Sequence, residues 1–303
     1  MIHIGVDFGG TKIEAAALDE TGRFLARVRA PNPGVYDEAI AVVRDLVDQV
    51  EREAGVTGAS VGVGLPGSIS ALTGLMRNAN SVWLNHMPFD RDLEAALGRP
   101  VRMQNDANCF ALSEAVDGAA RGAEVVFGVI LGTGCGGGVV VRGAPVEGHN
   151  RIAGEWGHTP LPWPSPQEYG AHRCWCGREG CLETWISGSG FRADYAAATG
   201  RSLTGEAIMT AARAGEAAAI AAFERYVDRL GRALAGVCNL LDPDVIVCGG
   251  GMSNVAELYD RIVPAIERHV FSDVFTTRVV RAQHGDSSGV RGAAWLWPLD
   301  GGD

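Results

Sequence analysis

Nowhere does the chain string together the ~20 apolar residues that a membrane-spanning helix needs, and it is short of positive charge. Lysine and arginine total 26 against 36 aspartate and glutamate, a net charge of −10 over 303 residues. A nucleic-acid surface draws most of its affinity from a basic stripe, so this deficit argues against a nucleic-acid partner, as the missing apolar run argues against a membrane. An acidic protein can still hold ATP, because phosphates are gripped locally by backbone N–H groups and Mg²⁺. No leader precedes the first strand, which starts at Ile2, and the expectation is a cytoplasmic protein. Seven cysteines, an odd number with Cys109, Cys135, Cys238 and Cys248 scattered, fit a disulfide framework poorly. No G-x-x-x-x-G-K-[ST] phosphate loop occurs. Gly132 to Gly137 matches G-x-G-x-x-G, but a Val139-Val140-Val141 strand follows where a dinucleotide site needs a helix.

What is present is a soluble globular composition, nearly half apolar and one-fifth charged, in a length that holds two domains. Strands are expected at Ile2 to Phe8, Lys12 to Leu18 and Arg23 to Arg29, then a helix from Tyr36 to Ala54 and a strand from Ser60 to Leu65. An Asn-rich loop spans Asn78 to Asn85. A helix over Arg91 to Leu97, a strand over Val101 to Gln104 and a helix over Ala107 to Ala119 follow. The second half repeats the opening with Val125 to Leu131, a Gly-rich turn and Gly138 to Arg142. A long helix from Glu216 to Leu241, a strand from Asp244 to Cys248, the turn Gly249-Gly250-Gly251 and another helix come after. No low-complexity linker divides the halves, and the repeated strand, Gly turn and strand suggest duplication.

The segment from Gly154 to Glu183 carries the strongest chemical signal. Cys174, Cys176 and Cys181 fall within eight positions on a Gly-rich turn, so their thiolates can face one point, and His158 can complete a tetrahedral Zn²⁺ site with no open position. Such a closed site contributes folding energy and steadies its neighbours, here Glu155 and Glu183. Fifteen residues, including Pro160, Pro162, Pro164 and Pro166, separate His158 from Cys174, and His172 competes as fourth ligand. A purely structural knuckle is the plainer alternative.

Three glycine turns need a reason. Gly9-Gly10-Thr11-Lys12 and Gly132-Thr133-Gly134 each join two strands, and Gly249-Gly250-Gly251 joins a strand to a helix. Glycine lets backbone N–H groups approach phosphate oxygens, and Thr11 or Thr133 can add a hydroxyl donor. A lone turn reads as a plain hairpin, but three of them with Asp7 nearby point to a nucleotide. Asn105-Asp106-Ala107-Asn108 stands where a strand passes into a helix. Helix capping explains an Asp or Asn there, yet strand ends are also where α/β proteins place reactive groups. One carboxylate beside a hydroxyl is what phosphoryl transfer requires, since its loose transition state leaves positioning and charge neutralisation as the main tasks.

Asp7-Phe8-Gly9-Gly10-Thr11-Lys12, Asn105-Asp106-Ala107-Asn108, Leu131-Gly132-Thr133-Gly134, Glu155-Trp156-Gly157-His158 and Cys174-x-Cys-Gly-x-x-Gly-Cys-Leu-Glu183 together resemble the ROK family of sugar kinases and repressors, in order and spacing over essentially the whole chain. Gly64 to Ser70, Asn78 to Asn85, the Pro-rich Thr159 to Pro164 and His284 to Gly289 are most similar to its bacterial fructokinase branch.

The resemblance implies an α/β, two-domain actin-like ATPase (ribonuclease H-like) fold with an interdomain cleft and a structural zinc loop. Domains are expected at 1–119 and 120–288, with a C-terminal helix within 289–303 returning to the first and Trp295 and Trp297 as its anchors. It implies ATP, Mg²⁺ and structural Zn²⁺, and phosphorylation of a hexose, fructose first, with an N-acetylglucosamine kinase or glucokinase as the alternative. Asp106 is then the general base. Gly67, Asn80, Asn105, Glu155, His158 and Glu183 bind the sugar, His158 with one ring nitrogen on zinc. Asp7 holds the magnesium shell. Gly9, Gly10, Thr11, Lys12, Gly132, Thr133 and Gly134 bind phosphates, with Gly249, Gly250 and Gly251 against adenosine. His158, Cys174, Cys176 and Cys181 are the metal ligands. A homodimer is expected, with the insertion 159–173 shaping the sugar site or a subunit contact. A sugar-sensing repressor is the rival, but its helix-turn-helix finds no room ahead of Ile2. Cys135 reads as a small residue in a turn, with a redox switch as the minor reading.

Overall fold

The computed structural model describes residues 1–170 and 172–298; Ala171 of the insertion and residues 299–303 of the expected C-terminal helix lie outside the described residues. The chain divides into two units, Met1–Gly122 with Gly138–Ala153 and His284–Asp303, and Ala123–Gly137 with Gly154–Gln283.

In the first unit, β1 (Ile2–Phe8), β2 (Lys12–Asp19) and β3 (Phe24–Pro31) form an antiparallel meander. β4 (Ser60–Leu65) lies parallel to β1, and a later strand, Val101–Asn105, lies parallel to β4. β1 and β4 are apolar almost throughout because both of their faces are covered. On one side Ala39, Val43, Leu46, Val47 and Val50 of the amphipathic helix α1 (Tyr36–Ala54) pack against Ile4, Val6, Val61 and Val63, and Phe8 meets Phe89 edge to face at 5.1 Å. Phe89 opens α2 (Phe89–Leu97). Between β4 and α2 a small hairpin of β5 (Ser68–Ile69) and β6 (Met76–Arg77) precedes the Asn-rich loop, and the strand Val101–Asn105 is β7. That strand runs directly into α3 (Asp106–Val116).

The other face of the sheet takes a helix from the end of the described chain, Ser288–Ala294. Its backbone lies directly on the strands because Gly5 and Gly62 have no side chain. A Cβ on Gly5 would stand 1.9 Å from the carbonyl oxygen of Val290, and one on Gly62 1.9 Å from that of Ala293.

In the second unit β8 (Val125–Leu131) is parallel to a strand at Val245–Gly249, itself parallel to one at Arg278–Arg281. β9 (Cys135–Val141) starts in this unit and passes into the first at Gly138, where it pairs with β10 (Ala144–Pro145). The strands Val245–Gly249 and Arg278–Arg281 are β11 and β12. Among the described residues five α-helices complete the unit: α4 (Glu183–Ile186), α5 (Gly188–Thr199), α6 (Gly205–Arg213), the 25-residue α7 (Ala217–Leu241) and α8 (Glu257–Glu267). The helix Ser288–Ala294 is α9.

Several elements differ from the sequence reading for identifiable reasons. β9 begins at Cys135, three residues before the expected start, because Gly136 to Gly138 are extended strand and only 132–134 make the turn. Gly138 backs onto α3, where a Cβ would lie 2.4 Å from the Ala107 carbonyl oxygen, and this contact groups 138–153 with the first unit although 120–288 was expected to be one domain. α3 stops at Val116, short of Ala119, because Glu114 Oε2 accepts the Ala119 N–H at 2.9 Å and turns the chain. After Gly249-Gly250-Gly251 comes one 3₁₀ turn, Gly251–Asn254, before α8. The hairpin β5–β6, β10 and β12 are too short to leave a period-2 signal in sequence.

The Pro-rich insertion is strapped to α7. Arg232 donates to the carbonyl oxygens of Pro162 (3.0 Å) and Trp163 (2.9 Å), and buried Glu168 accepts from both Arg229 and Arg232. No helix among the described residues is long and apolar enough to cross a membrane.

Candidate active site

In the first unit the candidate residues gather at the ends of β1, β4 and β7. At the junction of β7 and α3, Asn105 is the residue that caps: its Oδ1 accepts the Ala107 N–H at 2.9 Å, while its Nδ2 donates to the Gly67 carbonyl oxygen at 3.3 Å. Capping therefore falls on Asn105, and Asp106, exposed in the first turn of α3, accepts the Ala107 N–H at 2.8 Å through Oδ1. Gly67 has φ +79° and presses on the loop behind it, where a Cβ would fall 2.4 Å from the Arg77 carbonyl oxygen. Asn85 clasps Ala79 at both main-chain atoms (2.9 and 3.1 Å), fixing the bend that carries exposed Asn80.

Asp7 ends β1 beside this group. Burial, reinforced by the Asp106 and Glu14 carboxylates and opposed by Lys12 and Arg27, pushes its carboxyl up to about 6. A divalent cation would offset that repulsion. Mg²⁺ asks for only one or two protein carboxylates, with water and phosphate filling its octahedron, so Asp7 fits such a role. The Gly9 to Lys12 turn is held open by Asn32, whose Nδ2 donates to the Gly9 carbonyl (2.8 Å) while its own N–H donates to Thr11 (2.9 Å). Gly10, Thr11 and Lys12 are exposed, and Lys12 Nζ lies 3.6 Å from Glu14.

In the second unit the cysteine knuckle forms as the spacing predicts. Gly177, at φ +88°, reverses the chain and donates its N–H to the Cys174 carbonyl at 3.0 Å, turning the thiols of Cys174 and Cys176 to one side. Gly180, at φ +72°, turns it again before Cys181. A bridge between Pro160 and Cys181, and the Leu182 N–H on the Thr159 carbonyl (2.8 Å), bring distant His158 alongside. The four donor atoms lie within 4.8 Å of one another, with His158 Nδ1 to Cys174 Sγ and Cys176 Sγ to Cys181 Sγ both at 3.6 Å. Zn–S bonds of ~2.3 Å and Zn–N bonds of ~2.0–2.1 Å give tetrahedral edges of ~3.5–3.8 Å, which the two 3.6 Å edges meet, and the donor types are those that zinc takes. His172 is not in it; its ring packs edge-on against Trp185 at 4.4 Å.

Glu155-Trp156-Gly157-His158 docks by its two middle residues. The Trp156 indole donates to the Gly136 carbonyl (3.1 Å) and meets Phe127 edge to face at 5.2 Å, and a Cβ on Gly157 would lie 2.1 Å from the Cys135 carbonyl oxygen. Exposed Glu155 and half-buried His158 flank this anchor. Glu183 opens α4 with both oxygens engaged. Oε2 accepts the Cys135 N–H at 3.1 Å and Oε1 the Trp175 indole N–H at 2.7 Å. The Trp175 contact was invisible in the spacing; its only signal was an aromatic residue between two metal ligands. Cys135 is buried, and burial followed by the Glu183 charge drives its thiol far up, which removes the redox reading.

The Gly132 N–H donates to the Gly134 carbonyl (3.0 Å), and the Gly132 carbonyl accepts from Gly188 at the start of α5 (2.7 Å). Thr133 then lines two cavities of this unit. One, of about 600 Å³, is walled by Thr133, Gly134, Trp175, Glu183, Ser187 and Ser189. The other, of about 820 Å³, is walled by Gly132, Arg192, Thr204, Met209, Gly251 and Met252 among others, and so joins the second glycine turn to the third. Gly249 is buried within β11, whereas Gly250 and Gly251 are exposed. Arg192, Thr204 and Met252 carry no motif, and they come together only where α5, the start of α6 and the 3₁₀ turn Gly251–Asn254 pack.

The ROK family model matches residues 3–299. An N-acetyl-D-glucosamine kinase of Pectobacterium atrosepticum is 40% identical over 304 residues, covering 99% of this chain and 100% of the relative. Among solved structures, a ROK hexokinase from Thermus thermophilus superposes with a TM-score of 0.87 at 34% identity (98% of this chain, 97% of that one). A ROK family glucokinase from Streptomyces griseus, in complex with glucose and AMPPNP, does so at 0.77 and 30% (98% and 99%).

Proposed function

Because the chain belongs to the ROK family and has the α/β, two-sheet fold of its kinases, we propose that it transfers the γ-phosphoryl group of ATP to a hydroxyl of a hexose, with N-acetyl-D-glucosamine as the preferred acceptor. Fructose, the acceptor suggested by the short motifs, gives way to the sugar named for relatives that match the chain from end to end. Glucose is the second acceptor to test, on the strength of the Streptomyces griseus glucokinase.

The observation that carries the reading is the cavity of the second unit in which Thr133 and Gly134 meet Glu183. It joins a phosphate-type glycine turn to a carboxylate held by the Cys135 N–H and the Trp175 indole and placed to take a sugar hydroxyl. The larger cavity, reaching Gly251, suits the nucleoside.

In this reading the first unit supplies Asp106, which orients the acceptor hydroxyl and takes its proton late, as the oxygen closes on phosphorus. An ordinary carboxylate is a weak base toward an alcohol, so orientation is its larger contribution. Asn105, Gly67 and Asn80 bound the sugar beside it, and Asp7 holds the Mg²⁺ shell. Mg²⁺, bound with the triphosphate, neutralises phosphoryl charge. Gly9, Gly10, Thr11, Lys12 and the Gly132 to Gly134 turn offer phosphate donors. Glu155, His158 and Glu183 take further hydroxyls. A ring bound to zinc through Nδ1 keeps an N–H at Nε2.

Coupled ADP release with ATP and Mg²⁺ over N-acetylglucosamine, N-acetylmannosamine, glucose, mannose and fructose tests the proposal. The highest kcat/KM is expected for N-acetylglucosamine. Sugar binding without ADP release for any of the five would make the protein a sensor and end the kinase reading.

A further inference from the structure

We infer that Trp175 is a positioning residue for sugar recognition, acting through the carboxylate of Glu183. The inference rests on Glu183 being a sugar ligand, as proposed above, and adds a residue that the motif spacing does not specify.

Trp175 stands between Cys174 and Cys176 at the tip of the knuckle. It is 73% exposed, so apolar packing does little to hold it in place. Two contacts define its pose. Its indole N–H donates to Glu183 Oε1 at 2.7 Å, and its ring meets the His158 imidazole edge to face at 5.0 Å. Indole is a donor with no acceptor capacity, so Trp175 donates and the Glu183 carboxylate accepts.

Glu183 thereby gains a donor on each oxygen, the Cys135 main chain on Oε2 and Trp175 on Oε1. The first holds the carboxylate to the phosphate turn. The second sets its rotation about the terminal torsion, which is broad for glutamate when nothing holds it. Oε1 also takes the Cys174 thiol at a long 4.0 Å, and the carboxylate so held lines the cavity that Trp175 and Glu183 share. A carboxylate held in that manner accepts from two neighbouring hydroxyls without first losing rotational freedom. The indole is in turn fixed at both chain neighbours by cysteines of the metal set, so the knuckle reaches Glu183 from its tip as well as through the Cys181-Leu182-Glu183 chain.

Trp175→Phe removes the donor and keeps the ring against His158. The sugar KM should rise about tenfold, the loss of one hydrogen bond to a charged group, with kcat, the KM for ATP and bound zinc unchanged. Glu183→Gln separates the two ideas. It should raise the sugar KM by at least as much, and the further effect of Trp175→Phe in its background should vanish. The indole ¹H–¹⁵N resonance of Trp175, identified by its loss in Trp175→Phe, should move upfield in zinc-loaded Glu183→Gln without sugar or ATP. An unchanged sugar KM in Trp175→Phe, with Glu183→Gln impaired, would overturn the role of Trp175 alone. An unchanged sugar KM in Glu183→Gln would overturn both that role and Glu183 as a sugar ligand, whatever the resonance does.

Discussion

Gly250 backs onto Leu131: a Cβ at position 250 would stand 2.6 Å from the Leu131 carbonyl carbon and 2.8 Å from the Gly132 nitrogen, and Gly250 has φ +81°. The second and third glycine turns are thus one construction, with β11 ending against the main chain of β8. Gly250→Ala should cost at least about 2 kcal/mol, from the left-handed backbone and the collision together. It should also weaken ATP more than sugar, because the displaced turns line the larger cavity. Chemical denaturation with the two KM values checks this.

Asp106→Asn keeps an oxygen for the Ala107 N–H, so α3 should be intact. Turnover should fall about 10²-fold or more while sugar binding measured by calorimetry stays within a few-fold. Equal kcat in the two proteins would remove Asp106 from the chemistry.

Cys176→Ser takes one thiolate from a set of four donors that lie within 4.8 Å of one another. Bound zinc should drop below one equivalent, the melting temperature should fall, and the sugar KM should rise, since Glu183 and His158 are fixed from that turn. Loss of zinc with unchanged kinetics would leave the knuckle a purely structural feature.

Glu168 supplies the acid dependence of the strap. Burial alone would raise its carboxyl, but hydrogen bonds from Arg232 and Arg229 prevail and hold it down at about 2, against an ordinary 4.5. A depressed carboxylate gives stability that is complete above the unfolded value and lost as pH falls toward the folded one. Wild type should therefore lose about 2–3 kcal/mol more than Glu168→Gln between pH 4.5 and 2. The variant should already be weaker at pH 7, because two buried guanidinium groups lose the carboxylate they share and keep only Asp194 and Asp228. Parallel urea titrations of the two proteins across that window would decide it.

Much of this molecule was legible in its residues. α1, β1, β4 and β8 lie where apolar periodicity and flanking glycine put them, since both signals are local. The knuckle was legible for a related reason: three cysteines within eight positions leave the chain little freedom, and the turn glycines state where it reverses. His158 was harder. Fifteen intervening residues allow many closures, and His172 was nearer in sequence; the bridge from Pro160 to Cys181 decided between them.

Capping at the β7–α3 junction shows the same division. Asn105 and Asp106 are both good cap residues, and composition cannot choose between neighbours. Only the fold shows Asn105 taking the cap while also reaching the Gly67 carbonyl. The Pro-rich insertion was read as a cover for sugar or for a subunit. Its partners, Arg229 and Arg232, lie some seventy positions away on α7, beyond any local pattern.

The amino-acid order alone determined the family, the elements that obey periods of two and 3.6, and the residue types for phosphate, hydroxyl and zinc, because each is written within a few consecutive positions. Tertiary structure decided which histidine joins the cysteines, which atoms hold Glu183, and that Gly250 backs onto Leu131 and Gly132. Those outcomes depend on excluded volume and hydrogen bonds between segments far apart in the chain, and such energies exist only once the segments have packed.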